Sequence, residues 1–254
     1  MCYDDRARPP MPPGDSIPAR GEDLVLTASD GNRFAAYAAF PTTPTNAQVI
    51  IYPDVRGLHQ FYKELAMRFA EVGVTALAID YFGRTAGLTS RAEPFEYMPH
   101  VQQLKLDSFM NDVQAAVNYL REKTGKDGKI FVVGFCMGGA LTLVTGTKRD
   151  FGFAGLMPFY GVLTRSFGGS KTPIELVSQI AAPVLAQFGG ADQAIPVEAV
   201  KDFDEKLDAT GVEHQIIIYE GAPHSFFDKR FAEHAEASSQ SWQRMLEFMK
   251  AHTN

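Results

Sequence analysis

The chain has too little cysteine to be held together by disulfides. Its 254 residues include two, Cys2 and Cys136, where small secreted scaffolds carry a dense and even set. It also lacks an excess of positive charge. Lys and Arg number 24 against 30 Asp and Glu, a net charge of −6, which argues against nucleic acid or an acidic membrane surface as the main partner. No run approaches the roughly 18 to 20 apolar residues of a membrane span. The first residues, with Asp4 and Asp5, have no basic region followed by an apolar one and do not read as a signal peptide. The six histidines show no metal-ligand spacing, and no internal repeat is visible. These absences predict a protein of the reducing cytoplasm that binds no membrane, nucleic acid or metal.

What is present is an ordinary apolar fraction, 45%, sufficient for a large core. Residues 1–20 carry five prolines between Pro9 and Pro18 and predict an extended arm; residues 21–254 predict one domain. Strand-like segments at 23–27 and 34–40 flank Asp30-Gly31, a turn signal that predicts a hairpin at a sheet edge. From there the pattern alternates. Strands are expected at 48–52, 74–79, 129–133, 154–159, 183–188 and 215–219, and helices at 62–71, 101–123, 197–209 and 232–250. A long loop is expected over 81–100. Alternating strands and helices define an α/β fold: a mostly parallel, twisted sheet of about eight strands, with helices on both faces and no large cap domain.

The run Lys129-Ile-Phe-Val-Val-Gly-Phe-Cys136-Met-Gly-Gly-Ala is the most informative segment. A buried strand, then Gly-x-Cys-x-Gly, then the apolar stretch 141–144 describe a nucleophile elbow, in which a sharp turn exposes the central side chain. In such a sheet the reactive groups lie at the carboxyl ends of the strands. Asp192 follows the next-to-last expected strand, in Phe-Gly-Gly-Ala-Asp192, and His224 follows the last, in Gly-Ala-Pro-His224. Each residue type has a task. An imidazole must take the thiol proton and return it to a leaving group, and a carboxylate must fix the imidazole's tautomer. The amide of Met137, at the start of the elbow helix, is a candidate oxyanion donor that gains from the helix dipole.

Nucleophile, acid and histidine in that chain order, with cysteine in Gly134-Phe-Cys136-Met-Gly138-Gly139 and the segment His224-Ser225-Phe226, resemble the dienelactone hydrolase family of the α/β-hydrolase fold. The resemblance runs from about Leu24 to the C-terminus. It implies ester or lactone hydrolysis through a Cys136-His224-Asp192 triad and a thioester, without metal or organic cofactor. It implies Val55 as the second oxyanion donor, in the loop after the 48–52 strand. Asp54 matches a family glutamate that bonds the resting thiol and switches it on. Arg84 matches one of two arginines that hold a substrate carboxylate. The other arginine's place is taken by Asp228, so Lys229, Arg230 or Arg56 is needed to substitute, and a carboxylate there would repel an anionic substrate. Tyr160 and Phe227 are candidates for an apolar pocket wall, and equally for core.

A thiol nucleophile narrows the chemistry further. Thiolate leaves a tetrahedral intermediate easily, so the reaction goes forward when the other leaving group is good, as in lactones, enol esters and aryl esters. Two rival readings stand beside this one: a broad carboxylesterase with no anionic preference, which Asp228 favours, and a non-catalytic relative that binds a small molecule. Neither the natural ester nor the choice between monomer and homodimer is legible.

Overall fold

The computed structural model describes residues 5–125, 127–228 and 231–253. Eight strands form one sheet: β1 (Ala19–Thr27), β2 (Arg33–Pro41), β3 (Ala47–Tyr52), β4 (Thr75–Ile79), β5 (Lys129–Phe135), β6 (Gly155–Phe159), β7 (Val184–Gly189) and β8 (His214–Tyr219). Their order across the sheet is β1-β2-β4-β3-β5-β6-β7-β8. The β1–β2 and β2–β4 pairs are antiparallel and every other pair is parallel. The Asp30-Gly31 turn makes the expected edge hairpin, with Leu26 opposite Phe34.

Burial follows from this order. Every residue of β3, β4, β6 and β7 is buried. Successive side chains point to opposite faces, so both faces of these strands are covered, as their unbroken apolar runs require. The edge strand β1 is mostly exposed. The α-helices are α1 (Gln60–Ala70), α2 (Gly83–Ala86), α3 (Met98–Gln103), α4 (Leu106–Thr124), α5 (Met137–Thr145), α6 (Pro173–Leu176), α7 (Val197–Asp208) and α8 (Ala235–Ala251). In α4, Phe109, Val113, Ala116, Val117 and Leu120 are buried at helical spacing. All of α5 is buried, which is why it carries no charge.

The structure corrects three expectations about boundaries. The 81–100 loop contains α2 and the start of α3, and the helix expected over 101–123 is two helices. Leu104 and Lys105 are extended between them, because the Leu106 amide donates to Gly168 O, 2.8 Å away, in the crossing from β6 to β7. Strand β1 also begins at Ala19, inside the stretch read as arm. The preceding residues lie against the chain's own surface. Pro9, Pro10 and Pro12 are buried, the Trp242 indole N–H donates to Pro10 O at 3.0 Å, and the Ile17 amide donates to Glu71 O at 2.9 Å.

Candidate active site

Cys136 joins β5 to α5 with φ 55° and ψ −113°, a left-handed backbone that an L residue holds only when its surroundings impose it. The surroundings do. The Cys136 amide donates to Phe159 O in β6 at 3.1 Å, and Cys136 O accepts the first helical bond of α5 from the Ala140 amide at 3.1 Å. A Cβ on Gly138 would lie 2.2 Å from Pro53 O and 2.3 Å from Tyr52 O. Only glycine lets α5 pack this close to the end of β3. Met137, the first residue of α5, has an amide with no carbonyl four residues back inside the helix. Its N–H stands at the positive end of the helix dipole.

Asp192 follows β7. Its side chain is 1% exposed; Oδ1 accepts the Ala194 amide at 2.8 Å, and Oδ2 lies 2.7 Å from Nδ1 of His224, which follows β8. A hydrogen bond from Nδ1 to this carboxylate leaves Nε2 as the basic nitrogen. Tyr160, held at φ 35° after β6, sets its ring 4.9 Å from the His224 ring. Cys136, Tyr160, Asp192 and His224 thus follow four strands that are neighbours in the sheet, each at its carboxyl end.

The loop after β3 is held from several sides. The Asp54 amide donates to the Tyr62 hydroxyl at 3.0 Å, and the Tyr81 hydroxyl donates to Pro53 O. The Asp54 carboxyl is fully buried. Oδ1 accepts the Arg56 amide at 2.8 Å, and Oδ2 is buried without a hydrogen-bond partner. Burial, then the nearby Asp228 carboxyl, hold the Asp54 pKa well above the usual carboxylate range. Val55, between Asp54 and Arg56, is half-buried.

Three residues expected to meet substrate are engaged elsewhere. Arg84 reaches Asp112 Oδ1 at 2.8 Å and Asp30 Oδ2 at 2.7 Å, and its hydrogen bond brings the Asp30 pKa down to about 2. It lines a cavity of about 620 Å³ together with Tyr81, His100, Lys105 and Asp112, and none of Cys136, Asp192 and His224 lines that cavity. The Arg56 guanidinium is buried and pairs with Asp5 Oδ1 at 2.5 Å and Glu93 Oε1 at 3.7 Å. Phe227 is fully buried among Phe135, Phe159 and Trp242, with centroids 5.7, 4.8 and 5.8 Å away. It is core beneath the elbow. Lys229 and Arg230 lie outside the described residues.

Sequence reasoning missed the buried pair Asp80–Arg91. Arg91 donates from Nε to Oδ1 at 3.1 Å and from Nη2 to Oδ2 at 2.8 Å. The same carboxylate accepts the Leu58 amide at 3.0 Å and the Phe82 amide at 2.9 Å, which fastens the loop after β4 to the loop after β3. An arginine in a stretch without periodicity gives no signal of this. Among the described residues no cluster of three or more metal-binding side chains occurs, and no helix is long and apolar enough to cross a membrane.

A strand–elbow–helix at the centre of a mostly parallel sheet, with acid and histidine after the last two strands, is the arrangement of the α/β-hydrolase fold. The sequence profile described as "Dienelactone hydrolase family" matches residues 34–253, and the chain belongs to that family. It is 28% identical over 244 residues to an Escherichia coli K12 protein named "Putative carboxymethylenebutenolidase", covering 94% of this chain and 89% of the relative. It is 26% identical to the carboxymethylenebutenolidase of Pseudomonas putida, covering 90% of this chain and 95% of that one. The solved structure of a dienelactone hydrolase-like promiscuous phosphotriesterase from metagenomic libraries superposes with a TM-score of 0.75 at 22% identity, covering 94% of this chain and 99% of the other. The chain is a dienelactone hydrolase-like hydrolase.

Proposed function

We propose that this hydrolase cleaves a small lactone or carboxylic ester through a Cys136-His224-Asp192 triad and a thioester on Cys136. Nε2 of His224 takes the thiol proton, and Sγ attacks the carbonyl carbon. The amides of Met137 and Val55 receive the oxyanion. Collapse breaks the bond to the alkoxide or enolate, which takes its proton from the imidazolium. Water, deprotonated by the same nitrogen, then attacks the thioester and releases the acid and the thiol. Asp192 keeps the imidazole in the tautomer both steps need. One observation carries the reading: the 2.7 Å Asp192–His224 hydrogen bond, at the same carboxyl edge of the sheet as Cys136, which is held at φ 55° as N-cap of a buried helix. A reducing cytoplasm suits such a thiol.

Aryl ester hydrolysis by wild type, Cys136→Ala and Cys136→Ser tests it. The alanine variant should lose at least about 10³-fold in kcat, and mass spectrometry of rapidly quenched wild type should find the acyl group on Cys136. An alanine variant as active as wild type would overturn the triad. If no form turns over ester while ligand binding survives in both variants, the protein is a binding relative. A broad carboxylesterase with no anionic preference is the second reading, favoured by the Arg84 ion pairs to Asp30 and Asp112.

A further inference from the structure

We infer that Tyr81 and Tyr62 are positioning residues, which hold the peptide unit between Pro53 and Asp54 at its two edges and so aim the Val55 amide at the forming oxyanion. This rests on the hydrolase reading above. A peptide unit is planar, with its carbonyl and its N–H on opposite edges. The Tyr81 hydroxyl donates to the carbonyl of this unit, Pro53 O, and the Tyr62 hydroxyl accepts its N–H, that of Asp54, at 3.0 Å. Bonds on both edges stop the plane from turning about the chain. The next unit carries the Val55 N–H, and its carbonyl, Asp54 O, accepts the Gly57 amide at 3.1 Å. The Arg56 amide closes onto Asp54 Oδ1 at 2.8 Å. The turn 54–57 therefore fixes the Val55 amide within itself, and the two tyrosines fix the turn to the rest of the fold.

Both tyrosines are firmly seated, and both are buried. Tyr81 follows Asp80, whose carboxylate accepts the Leu58 and Phe82 amides and the Arg91 guanidinium. Its ring meets Phe82 and Phe109 edge-on, with centroids 5.8 and 5.5 Å away. Tyr62 stands in α1, edge-on to Phe61 and 5.7 Å from the Phe135 ring of the elbow strand. The Tyr81 hydroxyl also abuts the other half of the oxyanion hole. A Cβ on Gly138 would lie 2.7 Å from it, so the oxygen is wedged between the Pro53 carbonyl and the first turn of α5, one residue from Met137. Burial, then the nearby Tyr52 and Asp54, hold the Tyr81 pKa well above the ordinary tyrosine value. The hydroxyl stays protonated and stays a donor.

An oxyanion donor is worth about 10²- to 10³-fold in kcat, and a displaced one forfeits part of that. Hydrolysis of a 4-nitrophenyl ester and alkylation of Cys136 by iodoacetamide are measured for wild type, Tyr81→Phe and Tyr62→Phe. Each variant keeps its ring and frees one edge of the peptide unit. Alkylation joins sulfur to a saturated carbon and builds no oxyanion, so it reports on the thiol without the hole. Each variant should lose about 10-fold or more in kcat, with KM changed by less than about threefold. Cys136 should be alkylated within about twofold of the wild-type rate. Tyr62→Phe serves alone if Tyr81→Phe does not fold. Wild-type kcat in both variants would overturn the clamp and leave the hydrolase reading intact. Equal falls in turnover and alkylation would also overturn it, because the tyrosines would then seat the elbow and not aim the amide. A wild type that cleaves no ester would take down both.

Discussion

The carboxyl edge of β5 to β8 and the loop-and-arm region around Arg56 border one another, yet they are built by different means. At the sheet edge, Cys136, Asp192 and His224 each stand directly after a strand, and the backbone alone carries them to their places. Around Arg56 the structure is made by side chains reaching across the chain. Arg56 meets Asp5, 51 residues away; Arg84 meets Asp112, 28 away; Arg91 meets Asp80, 11 away. The sheet edge draws its rigidity from hydrogen-bonded ladders. The loop region draws its order from buried charge, which holds only while every partner is present.

Removing partners one at a time makes that difference measurable. The largest effect is expected from Asp80→Ala, which leaves the Arg91 guanidinium buried with only the Gly87 and Thr89 oxygens and no carboxylate. It should cost about 3–5 kcal/mol in urea unfolding, and a loss under about 1 kcal/mol would mean that the pair is no anchor for its region.

Next comes acid. Burial takes the His59 pKa down to about 2, while its ring accepts the Phe61 amide as N-cap of α1. Below about pH 6.5 the unfolded chain binds a proton that the folded one refuses, so the His59 contribution is complete above that pH and declines as pH falls toward 2. At about pH 4.5 this amounts to roughly 2–3 kcal/mol. His59→Asn, which keeps a capping side chain, should flatten the decline. An unchanged pH–stability curve would show that other groups govern it.

The smallest effect belongs to Asp5→Asn. The Asp5 side chain is 35% exposed, which limits the change in stability to about 1 kcal/mol or less. Because Arg56 adjoins Val55, the variant should still lose about three- to tenfold in kcat/KM for an aryl ester. Equal activity would confine Arg56 to packing.

The same contrast decides what was legible in the sequence. The strands could be read because buried parallel strands are continuous apolar runs, as in 48–52 and 129–133, and because Asp30-Gly31 is a specific turn signal. The juxtaposition of Asp192 and His224 could be read because strand ends fix it. Arg84 could not be followed, since nothing local shows that Asp30 and Asp112 flank it. Phe227 stands three residues beyond His224, yet its ring turns into the stack under the elbow, a choice made by Phe135 and Phe159 on other strands. The break at Leu104–Lys105 was hidden for the same reason, because its hydrogen-bond partner is Gly168.

The chain has one tryptophan, and Trp242 is buried where α8, the Phe69 and Phe227 rings and the arm's Pro10 carbonyl meet. Its fluorescence is thus a built-in optical gauge of whether the arm is docked. Release of Pro10 exposes the indole to water and shifts its emission to the red, a signal that can be followed without any substrate and independently of the thiol.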